Sequence, residues 1–258
     1  PGGYTPSYPS LEVIVNGGTY DDKGILLEGN AYVPIDLVDQ LGIDLSQHPD
    51  LRRVSYRNVV FVRAIDLKDF HLSVTMGGNQ AVMVRSMLPI SATQLEQIMG
   101  QGQTSEVQMM MFLKSHHPEG LSRFPDLPKL YREEATIEGV NYDIAFAQMC
   151  VETNFLRFGT TVSPEQNNFA SLGAIGSGAE GATFSDSRLG VRAQIQHLKA
   201  YASTEPLVQA IIDPRFPYIR RGVAPGIRQL SGRWSADATY HQKILAVLKR
   251  LYEAAGFF

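Results

Sequence analysis

Between Tyr142 and Thr153 the chain reads YDIAFAQMCVET, and this run constrains the fold more than any other. Ile144, Ala147 and Val151, flanked by Phe146 and Cys150, recur at helical spacing and predict a helix with one face buried. Asn141 or Asp143 caps its start, and Thr153-Asn154 and Gly159 mark its end. Glu152 then falls in the last turn, beside buried positions and near unpaired carbonyls that carry partial negative charge. Both effects disfavour the ionised carboxylate, so its pKa is expected to rise. An acid still protonated near neutral pH is suited to protonating a glycosidic oxygen. Gln148, four residues earlier on the same face, is placed to orient it. A lone Glu at a helix end is ordinarily just solvated, so the choice turns on the neighbouring sequence.

Four blocks occur in order: AFAQMCVETNF, PEQNNFASLGA, GVRAQIQHLKAYA and WSADATYHQKI. Together they resemble the glucosaminidase domain of bacterial cell-wall hydrolases, the family of flagellar peptidoglycan hydrolases and many autolysins (glycoside hydrolase family 73). The likeness covers roughly residues 91–258 and is densest over 137–202. It implies an α+β chain whose catalytic domain is mainly α-helical and lysozyme-like, with a small β-lobe beside a substrate groove. It also implies hydrolysis of the β-1,4 bond between N-acetylglucosamine and N-acetylmuramic acid in peptidoglycan. Glu152 matches the family's general acid, and Tyr240 its active-site tyrosine in the W-x-x-D-x-x-Y-x-x-K-I block. Two other outcomes stay open on this scaffold: a lytic transglycosylase using the same acid, and a non-catalytic wall-binding protein.

The second carboxylate is less defined. An inverting hydrolase needs a base about 6.5–9.5 Å from the acid, and a retaining one needs a nucleophile about 5–5.5 Å away. Glu180, between glycines in GSGAEGATF, fits the place where the family often carries its second acid; Glu165 and Asp186 read as turn formers. The other route is attack by the substrate's own 2-acetamido oxygen, with Tyr240 steadying it. Asn167, Asn168 and Phe169 suit recognition of N-acetyl sugars, although Asn also caps loops. Trp234, the only tryptophan, offers a flat face for a sugar ring or a piece of core. His197 is expected as a structural hydrogen-bonder, and the Phe216-Pro217-Tyr218 loop with Arg220-Arg221 as a groove wall.

A net charge of −3 gives no polybasic surface, so a nucleic-acid partner is not expected; peptidoglycan glycan strands are. No run of about 18 apolar residues is present to span a membrane. The start at Pro1 reads as a processed product, and a place in the cell envelope or outside the cell is expected, with any signal or anchor outside this sequence. A monomer is expected. So is the absence of metal and cofactor: His116-His117 has no third ligand at a metal-like spacing, and Cys150, the single cysteine, reads as core.

The N-terminal third has another texture. Leu11–Val15, Ala31–Val33, Val59–Val62, Leu72–Thr75 and Ala81–Val84 are short β-like runs between turn signals such as Asn16-Gly17-Gly18 and Gly77-Gly78-Asn79. YVPIDL at Tyr32 returns as VRAIDL at Val62, a strand running into a helical turn. GNAYVPIDLVDQLGIDL resembles the small α/β module named from the N-terminal domain of copper amine oxidases, which implies a binding or spacer module without metal. The expected division is a tail over 1–10, this module over 11–90 and the catalytic domain over 91–258. Ser91 is expected to cap a short helix through Gln97, Gly100 and Gly102 to form a flexible joint, and Glu133 and Glu134 to be surface charge.

Overall fold

A computed structural model describes residues 6–78, 80–86, 95–159, 161–174 and 180–257. The chain divides into two units, Pro1–Pro89 with Tyr252–Phe258, and Ile90–Leu251. Asn79 of the expected hairpin turn and the Ser91 cap lie outside the described residues.

The alternating runs of the first unit become β1 (Ser10–Val15), β2 (Gly18–Thr19), β3 (Gly24–Leu27), β4 (Asn30–Pro34), β5 (Arg53–Tyr56), β6 (Val59–Arg63), β7 (Leu72–Gly77) and β8 (Ala81–Ser86). They form one sheet in the order β5-β6-β4-β3-β1-β8-β7, with β2 paired to β1. β1 and β8 run parallel; the other pairs are antiparallel. The internal repeat is structural. β4 enters α1 (Ile35–Gln40) as β6 enters a 3₁₀ segment (Ala64–Phe70), and the two strands pair with Val33 opposite Val62. Leu37 and Leu67, equivalent in the two copies, are buried in one core together with the paired Val33 and Val62.

The second unit is helical: α2 (Glu106–His116), α3 (Pro118–Arg123), α4 (Leu127–Glu138), α5 (Tyr142–Thr153), α6 (Ser187–Ala202) and α7 (Tyr240–Ala254), the last running on past the division. The chain is therefore α+β. The sequence reading buried one face of α5, but every residue from Tyr142 to Cys150 is buried, Asp143 and Gln148 included. Nothing on its remaining face is obliged to reach water, and Ala145 and Ala147 let neighbours approach closely. Asn141 is the cap, accepting from Asp143 N at 2.9 Å. The Asp143 carboxylate turns outward from the helix start instead, accepting from Gln103 N at 2.6 Å and from the Thr104 hydroxyl.

The segment expected as a flexible joint is thereby pinned. Gly100 N donates to Gly139 O at 2.9 Å, and a Cβ on Gly102 would sit 2.4 Å from the Tyr142 ring. Glycine serves close approach here rather than freedom.

Glu134 is also not surface charge. It is 1% exposed and meets Arg192 Nε at 2.5 Å and Arg188 Nη1 at 3.3 Å, while Glu133 stays half-exposed on Arg188. One turn on, buried Glu138 accepts from Lys199 Nζ at 3.0 Å, Val208 N at 2.9 Å and Gln209 N at 3.1 Å. These pairs join α4 to α6.

The lobe after α5 is held by loop-to-loop bonds, Ala182 N to Leu172 O and Phe184 N to Gln166 O, both 2.8 Å. It seats on α6 at Gly190, where an added Cβ would lie 1.7 Å from Asn167 O. Gly190→Ala should therefore push the loop off the helix, at a cost of about 1–3 kcal/mol or more. A lower melting temperature together with weakened activity checks this; an unchanged melting temperature would refute it.

Candidate active site

Helix α5 ends one residue after Glu152. Asn154 takes the left-handed conformation (φ 48°), and Leu156 N returns to Thr153 Oγ1 at 2.9 Å, so the chain turns away and leaves Glu152 at the helix mouth. Tyr240, the first residue of α7, reaches it from 88 residues away. Its hydroxyl donates to Glu152 Oε1 at 2.5 Å.

Burial pushes the Glu152 pKa up from its ordinary 4.5, and hydrogen bonds from Tyr240 and Ser171 offset part of that rise. Tyr240 is 4% exposed, and burial with the adjacent carboxylate holds its phenol well above the usual range. Its hydroxyl is thus held as the donor of this pair.

Gln148 lies on the expected face, but it does not touch Glu152. Its Nε2 donates to Tyr240 Oη at 3.0 Å, and its Oε1 accepts from Gln194 Nε2 at 3.0 Å. Gln148 is fully buried and lies behind Tyr240 rather than on the cleft surface expected of a substrate-binding residue.

Beside the acid is a cleft of about 240 Å³ lined by Ser171, His197, Tyr201, Arg215, Tyr218 and Trp234, among others. Ser171, with φ +52°, links the cleft to Glu152. Trp234 is half-buried and meets the His197 ring edge-on at 4.3 Å, close to Tyr201. His197 Nδ1 is 2.8 Å from Asp213 Oδ2, and Asp213 is 1% exposed, so the imidazole is fixed from behind.

Three residues expected to face the substrate are engaged within their own lobe or the core. Asn168 Nδ2 donates to Leu172 O and Ala182 O, and its Oδ1 accepts from Leu172 N, so a buried amide is spent on its own loop. Asn167 donates to Phe184 O and accepts from Ser187 Oγ. Phe169 is 1% exposed, edge-on to Phe124 in the core. Asn168 and Phe169 are thus enclosed, and Asn167 is half-buried with its amide bonded within the lobe.

Glu180 is exposed, immediately after residues 175–179, which lie outside the described residues. Glu165 pairs with Arg123 at 2.7 Å, and Asp186 caps α6 through Leu189 N at 2.8 Å. Sequence reasoning missed Ser171 and Gln194; a Ser in a loop and a Gln within a helix carry no signal of their own. Among the described residues no group of three or more His, Cys, Asp or Glu is disposed to hold a metal ion. Cys150 is fully buried, and burial raises its thiol pKa.

Residues 128–253 match the glucosaminidase family model, described as mannosyl-glycoprotein endo-beta-N-acetylglucosaminidase. An uncharacterized protein of Borreliella burgdorferi is 40% identical over 157 residues, 60% of this chain and 77% of that protein. A solved structure of S. aureus autolysin E, in complex with the muropeptide NAM-L-Ala-D-iGlu, aligns with a TM-score of 0.41 at 13% identity, covering 85% of this chain and 89% of that one. Both Glu152 and Tyr240 lie within the matched residues, and residues 128–253 form a glucosaminidase-family domain.

Proposed function

We propose that the chain is a peptidoglycan hydrolase that cleaves the β-1,4 bond between N-acetylglucosamine and N-acetylmuramic acid, with Glu152 as general acid. The observation that carries this reading is the Glu152–Tyr240 pair: a carboxyl held toward its protonated form at the edge of an aromatic-lined cleft. A protonated carboxyl there can give its proton to the leaving oxygen as the glycosidic bond breaks. Trp234 and Tyr201 supply ring faces for the sugar. Glu180 is the proposed second carboxylate, activating the water that attacks the anomeric carbon.

The residues from 91 onward are proposed as the catalytic domain, and residues 11–90 as a wall-binding or spacer module resembling the amine oxidase N-terminal module. The working location is the cell envelope or the outside of the cell, and the working state a monomer. Among the described residues no helix is long and apolar enough to cross a membrane.

Mass spectrometry of borohydride-reduced fragments from treated sacculi tests the bond. Reduced N-acetylglucosamine ends support the proposal. Anhydro-muramic ends would move the assignment to a lytic transglycosylase, and binding without fragments to a non-catalytic protein. Glu180→Gln should cut turnover nearly as far as loss of the acid does; full turnover would assign the attack to the substrate's acetamido oxygen. Tyr240→Phe removes the donor that favours ionised Glu152, so the alkaline limb of the pH–rate profile should move upward while kcat falls about tenfold or more.

A further inference from the structure

We infer that the cleft beside Glu152 selects glycan that bears a carboxylate, with Arg215 and Arg233 as the residues that bind it. This rests on the proposed hydrolase reading and names its substrate class more narrowly. Both arginines line the cleft and are exposed, and among the described residues its lining holds no Asp or Glu, with Glu152 reached through Ser171. Asp213, the acid nearest in sequence to Arg215, is buried on His197 and accepts from the Arg215 backbone N at 2.9 Å, while making no ion pair with the guanidinium. Among the described residues neither arginine has an ion-pair partner. The Arg215 guanidinium lies 5.1 Å from the Tyr218 ring centroid, and Arg233 Nη1 donates to Gln229 O at 3.0 Å; neither contact neutralises charge. A chain of net charge −3 thus presents a concave surface with two free cations beside aromatic rings. Guanidinium forks match carboxylates, and the rings match sugar faces. In the wall polymer, carboxylates hang from the muramic residue, either on its stem peptide or on the bare lactyl group; a chitin-type chain has none.

The test measures steady-state kinetics of wild type, Arg215→Gln and Arg233→Gln on peptide-bearing strands, amidase-stripped strands and neutral N-acetylglucosamine oligomers. KM for peptide-bearing strands should rise about tenfold in each variant, with kcat held and affinity for the neutral oligomer unchanged. Equal effects on charged and neutral substrates, or none on either, would overturn the proposal. Stripped strands that retain the arginine dependence place the carboxylate on the lactyl group, and stripped strands that lose it place it on the peptide. Wild type that cleaves none of the three refutes the hydrolase reading itself and is thereby told apart.

A second inference rests on the buried amides alone. The geometry points to Gln194 as a positioning residue that fixes which way the Tyr240 proton faces. Gln194 Nε2 donates to Ala145 O at 2.9 Å, and a backbone carbonyl can only accept. That contact commits Gln194 Oε1 to the Tyr131 hydroxyl, which donates to it, and Gln194 Nε2 also to Gln148 Oε1. Gln148 must then offer its Nε2 to Tyr240 Oη, and Tyr240 must send its own proton to Glu152 Oε1. Tyr131, Gln148 and Gln194 are fully buried, so water cannot substitute for a lost member. Without Gln194, the Gln148 amide can flip and take the Tyr240 proton, depriving Glu152 of its donor.

Gln194→Met should therefore lower kcat about tenfold, leave KM unchanged and shift the alkaline limb of the pH–kcat profile upward, because Glu152 then ionises less readily. Gln194→Glu, whose carboxylate would reverse the chain, should shift the same limb in the same direction. A folded variant with an unmoved limb overturns the assignment, as a packing role alone would change stability and not the profile. Glu152→Gln run alongside separates the two levels: if it still cleaves, the acid assignment fails before the relay is in question.

Discussion

Glu152→Gln is expected to lower turnover of peptidoglycan by about 10²–10⁴-fold while leaving the protein as stable as wild type, or more so, at neutral pH. The two halves have one cause. Burial raises the Glu152 pKa above its ordinary 4.5, so ionising the group costs more in the folded chain than in the unfolded one. For a carboxyl raised in this way, the stability it contributes is present below the ordinary value and is lost as pH rises through the folded pKa. Glutamine never ionises and still offers Tyr240 an acceptor oxygen. The melting temperature of the variant relative to wild type should therefore be level in acid and climb on the alkaline side. Scanning fluorimetry across pH, beside the fragment assay, reads both. A dead variant that also melts lower at neutral pH would mean that Glu152 holds structure rather than supplying a proton.

Glu138→Ala is expected to be the most damaging change to stability in the second unit. Glu138 is 2% exposed and receives three donors, and among the described residues Lys199, 4% exposed, has Pro206 O as its other partner. Removing one partner of a buried pair strands the other charge, at a cost of about 3–5 kcal/mol. In a unit of this size that lowers the melting temperature by roughly 10 °C. Burial raises the Glu138 pKa, but the bonds from Val208, Lys199 and Gln209 outweigh it and hold the carboxyl below 4.5. Its contribution is thus present above pH 4.5 and fades as pH falls through the lowered value. The gap between wild type and variant should narrow in acid; a gap that stays constant across pH would show that lost packing, not charge, accounts for it. Lys199→Met should cost less, since two backbone amides still hold Glu138.

What the sequence disclosed was local. Glu152 at the end of an apolar helix, beside a passage with no regular period, is legible because caps and periodicity act within a few residues. Tyr240 carries no such signal, since its partner is 88 positions away, and only resemblance marked it. The misreadings share a cause. An Asn amide serves a loop or a ligand equally well, and only tertiary burial shows that Asn168 is spent on Leu172 and Ala182. Glu134 looks like surface charge until α6 brings Arg192 and Arg188 against it. A clue was present there: Arg188 and Arg192 stand one turn apart on a single helix face, awaiting an acid. For α5, the lack of any charge between Asp143 and Glu152 foretold full enclosure better than the spacing of its bulkiest residues did.

That enclosure makes α5 a measuring rod. Asn141 fixes one end and the left-handed Asn154 the other, and neighbours grip the shaft on all sides. Adding or deleting one residue between them would swing Glu152 by about 100° and move it about 1.5 Å along the axis, out of reach of Tyr240. The number of residues from Asn141 to Glu152 is therefore fixed by what each end must hold.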